Sequence, residues 1–234
     1  MKAFLLAAGH GTRLRPLTNK APKCLLPVRG VPMLEIWIHL CQRFAIHDVL
    51  LNLHSHADCV QAYLESRDDI RVCVNLVTEP TLLGSAGTLR ANRQWVEGEE
   101  CFWIFYADVL VSADLDAMLR FHRSRHPIAT LGLYRVPDPT RCGVVSLSDN
   151  ETIQNFTEKP AVPMSNLAFA GIMLGTPALL DSVPQRTPVD IGYDLLPALT
   201  GKMMGYCLNG YILDIGTMQN YQLAQTTWPG IASR

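Results

Sequence analysis

The chain opens MKAFLLAAGHGTRLRPLTNKAPKCLLPV, residues 1–28. Lys2 to Ala7 reads as a short buried strand. It runs straight into a segment holding Gly9, Gly11, Arg13, Arg15, Pro16, Lys20 and Lys23. Glycine lets a backbone approach a ligand closely, and successive loop amides can then face phosphate oxygens. Arg13 adds a bidentate fork and Lys23 a compact charge. In an open α/β sheet, ligands bind beyond the carboxyl ends of the strands, which is where this turn falls. For G-x-G alone, a solvated basic turn stays open as the bland reading. Two common phosphate motifs are excluded. The dinucleotide fingerprint G-x-G-x-x-G fails at Leu14, and the pattern G-x-x-x-x-G-K-[ST] is absent. Pro16 disfavours a long helix from Gly11, so the loop is expected to run on in extended form. Its length and charge suit a triphosphate better than a single phosphate.

Outward from this loop, short apolar runs alternate with amphipathic ones. Helices are expected at Met33–Phe44, Ala57–Glu65, Ser85–Val96 and from Asp114 to about His126. Strands are expected at Asp48–Leu53, Arg71–Val77 and Cys101–Tyr106. This alternation implies an α/β fold, a Rossmann-like, mostly parallel sheet flanked by helices. After about residue 128 the pattern changes. IATLGLYRV, GVVSLS, TIQNFTEK and LAFAGIMLG read as added antiparallel strands, with an edge hairpin around Ser148–Asp149–Asn150. A last helix, Met218–Gln225, follows YILDIGT. Three loops at strand ends, 8–23, 107–112 and 214–217, carry the residues of interest.

Composition bounds the function. The 234 residues fit one domain with at most a small subdomain. A net charge of −1 argues against a large nucleic-acid face. The seven cysteines are odd in number and form no C-x-x-C, as in a protein with reduced thiols. No leader-like segment opens the chain, and no apolar run reaches membrane-spanning length. A soluble, cytoplasmic protein with no membrane partner is expected.

The longer strings are more specific than the glycines. LAAGHGTRLRPLT followed by PKCLLPV resembles the opening of the sugar-1-phosphate nucleotidyltransferases, or nucleotide-sugar pyrophosphorylases. The resemblance extends through EPTLLGSAGTL (79–89), FYADVL (105–110), FTEKP (156–160), LAFAGIML (167–174) and YILDIGTMQNY (211–221). It implies a GT-A-like nucleotidyltransferase fold with a small antiparallel sugar-binding subdomain, in one domain spanning 1–234. Residues 1–127 would be mainly the nucleotide-binding part and 128–213 mainly the sugar-phosphate-binding part. Residues 214–234 would hold a metal ligand and the C-terminal helix.

The resemblance also implies roles. Leu6, Ala7, Ala8, Gly9, Gly11, Thr12, Arg13, Lys23, Glu79, Gly84, Ser85, Ala86 and Gly87 would bind the nucleotide. Gly143, Glu158, Lys159, Ala170 and Gly171 would bind the sugar phosphate. Asp108 and Asp214 would be metal ligands, and Arg13, Lys23 and Asp108 would be catalytic. The implied substrates are an NTP and a sugar 1-phosphate, with Mg²⁺ as cofactor. Mg²⁺ is a hard cation that suits two carboxylates and phosphate oxygens. Positioning and electrostatics then suffice for catalysis, because the attacking phosphate is already anionic. DPTRCGVVSLSDNETIQNFTEKP and VPMSNLAFAGIML look most like guanylyltransferases for mannose- or heptose-type 1-phosphates, so the reading leans to GTP. Uridylyl-, thymidylyl- and cytidylyltransferases share every strong motif. Homo-oligomerisation stays open.

Bland readings stand beside these. Asp108 alone could cap a turn, and Glu158–Lys159 alone could be a solvated hairpin pair. His54-x-His56 and His122-x-x-x-His126 have zinc-like spacings but lack a third ligand, so packing or surface roles are expected. Three positions depart from the family pattern. Ala107 stands where glycine or another small residue precedes the metal Asp. Phe169 stands where asparagine is usual, and cannot hydrogen-bond a hydroxyl. Met218 replaces a proline. No hexapeptide β-helix or acyltransferase domain is expected after the last helix. A non-catalytic nucleotide-sugar sensor and a Rossmann dehydrogenase are the rivals from other classes. The first is opposed by the joint presence of Arg13, Lys23, Asp108, Lys159 and Asp214, and the second by Leu14.

Overall fold

A computed structural model describes residues 1–231 of the chain. In chain order its strands are β1 (Lys2–Leu6), β2 (Pro27–Val28), β3 (Val31–Pro32), β4 (Asp48–Leu53), β5 (Cys73–Thr78), β6 (Phe102–Tyr106) and β7 (Val109–Ala113). They continue as β8 (Ala129–Arg135), β9 (Gly143–Leu147), β10 (Ile153–Glu158), β11 (Leu167–Gly175), β12 (Met203–Cys207) and β13 (Gly210–Asp214). The α-helices are α1 (Met33–Arg43), α2 (Ala57–Glu65), α3 (Ser85–Ala91), α4 (Leu115–Arg125), α5 (Pro177–Asp181) and α6 (Met218–Thr227). Two compact units form. The first takes residues 1–82, 105–113 and those from 210 on; the second takes 83–104 and 114–209.

In the first unit β4 lies between β1 and β5, and all three run parallel. Phe4, Leu5, Val49, Leu50 and Leu51 are buried, as expected of strands covered on both faces. Helix α1 buries Met33, Leu34, Ile36, Trp37, Ile38, Leu40 and Cys41. The Trp37 ring meets Phe105 at a centroid distance of 4.6 Å. Strands β7 and β13 form a separate antiparallel pair in which Asp214 faces Val109. Burial pushes the thiols of Cys24 and Cys41 up to about 12, so these cysteines act as small apolar core residues.

In the second unit the strand order is β10-β9-β11-β8-β12. The hairpin β9–β10 turns at Ser148, whose N–H donates to the Thr152 carbonyl at 2.9 Å. Strand β11 bulges between Phe169 and Met173, where Gly171 takes a φ of 69°. Strand β12, a segment with no strand signal in the sequence reading, runs parallel to β8 rather than antiparallel.

Most elements fall within a few residues of their expected bounds. The opening loop differs. It is not extended but folds into three 3₁₀ turns, Thr12–Leu14, Leu17–Asn19 and Lys23–Leu25. Proline forbids continuing an α-helix, yet single i→i+3 turns tolerate it. The helix expected over Ser85–Val96 breaks after Ala91 and resumes as a 3₁₀ turn over Arg93–Val96. The C-terminal segment reaches into residues 232–234, which lie outside the described residues.

His122 is buried on the inner side of α4, with Nδ1 2.8 Å from the Thr130 hydroxyl. Burial pushes the imidazole down to about 4 from 6.5, against the pull of Glu100 and with added repulsion from His126 and Arg123. A depressed folded-state pKa makes this contribution complete above about pH 6.5 and lost as pH falls toward 4. His122→Asn keeps a hydrogen-bonding group near Thr130 without a titration. Its unfolding free energy, followed by urea melts across this window, is expected to fall less steeply with acid than that of the parent.

Candidate active site

The site in the first unit starts where β1 ends. The Ala7 N–H, the first amide past the strand, donates to the Asn52 side chain at 2.8 Å. The Asn52 amide donates in turn to Glu79 Oε1 at 2.8 Å, and Glu79 is buried. Three strand ends are therefore tied by side chains at the place where the glycine turn leaves the sheet. The His54 ring approaches the Glu79 carbonyl at 2.8 Å and stands edge-on to His10 at 5.1 Å. His54 thus has a local role, and His122 is committed to Thr130. Ala8 is buried while Gly9 and Thr12 are exposed. Gly11 is closed over by Thr18, whose hydroxyl donates to the Gly11 carbonyl at 2.8 Å. The successive turns bring the side-chain ends of Arg13 and Lys23 to Gly216, just past β13.

The ionic centre follows from this fold. Lys23 Nζ pairs with Asp108 Oδ2. Asp108 sits in the short turn between β6 and β7, and its carbonyl accepts from the Ile215 N–H at 2.9 Å. Asp214 ends β13. Its Oδ1 accepts from the Gly216 N–H, and its carbonyl accepts from the Asn220 side chain at 2.7 Å. Gly216 is crowded by the ends of three charged side chains. A Cβ there would lie 2.7 Å from Asp214 Oδ1, 2.9 Å from an Arg13 guanidinium nitrogen and 3.1 Å from Lys23 Nζ. Two cations and a carboxylate thus meet at one glycine, with Asp108 on the same lysine.

The electrostatics split the two aspartates. Burial alone would raise Asp108, but the Lys23 charge and hydrogen bond outweigh it and hold the carboxyl below its usual range. Burial and then the Asp108 charge push Asp214 up, with Lys23 offsetting only part. Carboxylates that repel each other fit a hard divalent cation, which needs only one or two of them besides phosphate oxygens. Among the described residues no group of three or more His, Cys, Asp and Glu side chains is placed to hold a metal. Asp108 and Asp214 are the two carboxylates this centre would offer a divalent cation.

The remaining expected residues lie in the second unit. Gly84 has a φ of 80°, and a Cβ there would come within 2.3 Å of the Val189 carbonyl oxygen. The N–H groups of Ala86 and Gly87 donate to that oxygen at 3.0 and 3.1 Å. Ser85 Oγ donates to Asp190 at 2.9 Å and accepts from the Ile191 N–H at 2.7 Å. Glu158 ends β10 beside Gly143, and a Cβ on Gly143 would lie 2.7 Å from its carboxyl. Burial raises the Glu158 carboxyl, partly opposed by Lys159 and reinforced by Asp190. Lys159 Nζ lies 3.5 Å from Glu158. Ala170 and Gly171 fall inside the β11 bulge. The Phe169 ring stands 6.4 Å from Phe156. Asn52, Gly216 and Asp190 were missed by the sequence reading. A buried polar residue in the apolar run DVLLNL was the available signal for Asn52. DIGT contained Gly216, but its crowding is visible only in three dimensions.

A mostly parallel α/β sheet, with a basic glycine turn and two carboxylates beyond its strand ends, defines a class of phosphate-handling proteins. A family model described as nucleotidyl transferase matches residues 2–228. The chain belongs to that family. Mannose-1-phosphate guanylyltransferase catalytic subunit beta of Xenopus tropicalis is 32% identical over 228 residues, covering 94% of this chain and 62% of that one. A UTP–glucose-1-phosphate uridylyltransferase of Synechocystis is 30% identical, with 94% and 61% covered. The chain thus spans about 62% of the length of such curated relatives. A structure assigned to glucose-1-phosphate thymidylyltransferase of Bacillus anthracis, in complex with sucrose, superposes with a TM-score of 0.89 at 25% identity, over 100% of this chain and 97% of the other. The expected fold class holds: a mostly parallel sheet flanked by helices, with added antiparallel strands.

Gly216→Ala tests the crowding. The groups a methyl would strike are the ends of flexible side chains, so the melting temperature is expected to shift by only a few degrees. Displaced Arg13 and Lys23 are expected to weaken binding of inorganic pyrophosphate by about tenfold or more, read by calorimetric titration.

Proposed function

We propose that this protein joins a sugar 1-phosphate to an NTP, giving an NDP-sugar and pyrophosphate. The observation that carries this reading is the meeting of Arg13, Lys23 and Asp214 at Gly216, with Asp108 on Lys23. Such a centre suits a reaction between two polyanions, whose mutual repulsion is the first obstacle. Residues 1–127 act mainly on the nucleotide, 128–213 mainly on the sugar phosphate, and 214–234 supply a metal ligand and the last helix. Arg13 and Lys23 receive the triphosphate, and Lys23 exchanges Asp108 for phosphate oxygens. The backbone from Leu6 to Thr12, with Glu79 and Gly84–Gly87, holds the rest of the nucleotide. Glu158 and Lys159, with Gly143, Ala170 and Gly171, hold the sugar phosphate.

A sugar-phosphate oxygen attacks the α-phosphorus, the bond to the β-phosphate oxygen breaks, and pyrophosphate leaves with that electron pair. No side chain is needed as a nucleophile. Asp108 and Asp214 would hold Mg²⁺, and the ion would offset charge on the α-phosphoryl group. The relatives named above support the reaction class. The reading leans to GTP with a mannose- or heptose-type 1-phosphate; the Xenopus guanylyltransferase supports the mannose form, and the uridylyl- and thymidylyltransferases keep UTP and TTP as alternatives. Among the described residues no helix is long and apolar enough to cross a membrane. Seven cysteines without a C-x-x-C support a reducing, cytoplasmic setting.

Pyrophosphate release from five NTPs, each paired with several sugar 1-phosphates, tests the reading; binding without release in every pairing would favour a sensor. Asp108→Asn keeps the shape and removes the charge, so its far-UV spectrum is expected to be unchanged while kcat falls roughly 10²-fold or more. Near-normal turnover would remove Asp108 from the centre. Lys23→Ala is expected to raise KM for the NTP, and Lys159→Ala KM for the sugar 1-phosphate. Steady-state kinetics with each substrate varied separates the two, and both effects on one substrate would contradict the assignment.

A further inference from the structure

Glu158 and Lys159 carry charge, but neither offers a surface to the body of a sugar. A surface of that kind lies next to them. Residues Ile191–Leu195 form a single π-helical turn, a geometry that concentrates at functional sites. Tyr193 in this turn is 57% exposed. The backbone that carries the ring is fixed. Asp190 Oδ1 accepts from the N–H groups of Gly192 and Tyr193 at 2.8 and 3.0 Å. The other Asp190 oxygen accepts from Ser85 Oγ. Gly192 brings the turn against Glu158, since a Cβ there would lie 2.6 Å from Glu158 Oε2. Lys159 Nζ stands 5.4 Å from the Tyr193 ring centroid and 3.5 Å from Glu158 Oε1.

A cation over an aromatic ring that is otherwise open to solvent matches a ligand with two ends, one anionic and one built of C–H groups. A ring serving only to pack would be buried with its hydroxyl bonded. We propose that Tyr193 determines specificity for the sugar 1-phosphate, its ring taking the C–H face of the sugar while Lys159 takes the phosphate. This rests on the proposed reaction for the identity of the ligand. It assigns to this chain an aromatic sugar-reading surface on the turn held by Asp190 and Ser85.

The test is binding, so that it does not depend on turnover. Mannose 1-phosphate, glucose 1-phosphate and inorganic phosphate are titrated into the parent protein, Tyr193→Phe and Tyr193→Ala, in EDTA, with and without GTP. Tyr193→Leu serves as a second variant should the alanine variant lose its cooperative melt. The expected result is a loss of about tenfold for at least one sugar phosphate in Tyr193→Ala, a change under about threefold for inorganic phosphate, and near-parent binding in Tyr193→Phe. Equal losses for sugar phosphate and inorganic phosphate would make Tyr193 a prop for Lys159 and overturn the proposal. So would a phenylalanine variant as weak as the alanine one, unchanged affinity in Tyr193→Ala, or a parent protein that binds neither sugar phosphate. Pyrophosphate release by the parent is read separately. Binding as expected without release would leave the surface standing and sink the proposed reaction. Release with unchanged affinity in Tyr193→Ala would do the reverse.

Discussion

Two carboxylates far apart in the chain, Asp108 and Asp214, are brought to one place and share one lysine. The antiparallel ladder between β7 and β13 sets Asp214 opposite Val109, and the Ile215 N–H binds the Asp108 carbonyl. Neighbouring carboxylates in a half-buried setting cannot both ionise freely. The fold answers with Lys23, which keeps Asp108 charged and leaves Asp214 raised. Burial first, and then the Asp108 charge, keep Asp214 raised although Lys23 and Arg13 both pull it down.

Bringing Lys23 there sets the rest of the first unit. The chain between β1 and β2 must fold back on itself rather than run outward, and three 3₁₀ turns do this. The Thr18–Gly11 bond fixes the first of them. The β2–β3 hairpin that follows is tied to α6, because Tyr221 and Gln225 both donate to the Pro27 carbonyl. Helix α6 begins just past Asp214, and Asn220 in its first turn holds the Asp214 carbonyl. The same helix thus holds the Asp214 carbonyl and the hairpin that follows the Lys23 turn. Support of this kind matters because reactive groups must be held to a fraction of an ångström by packed neighbours.

The second unit uses close backbone approach instead of ion pairs. Gly84 lies against Val189, and Gly143 and Gly192 lie against the Glu158 carboxyl. Each contact excludes a side chain and leaves a polar group walled by peptide planes. Burial accordingly raises Glu158, and Lys159 offsets that in part. Ser85 ties the segment after Gly84 to the π-helical turn through Asp190. A shift in one segment would be felt in the other through that bond.

Much of this was legible in the residues, and the rest was not, for a definite reason. Strand β4 and helix α2 have the bounds their periodicity predicts, Asp48–Leu53 and Ala57–Glu65, because local patterns of burial set them. The basic glycine turn was read from its glycines and charge, and Asp108, Asp214 and Glu158–Lys159 were picked out by resemblance to the family's motifs. The 3₁₀ path of the loop was misjudged, since proline rules out an α-helix without choosing among the remaining conformations. Strand β12, MMGYC, was not read as a strand from the sequence; it pairs along the edge that β8 offers it. Asn52, Gly216, Gly192 and Tyr193 depend on what lies across from them, and sequence separation hides such neighbours. The sequence by itself determined the fold class and the family, because burial periodicity and motif strings are local properties. Which atoms meet, which carboxylate carries the lysine and where a side chain has no room were decided by the tertiary structure, because they are distances between segments remote in the chain.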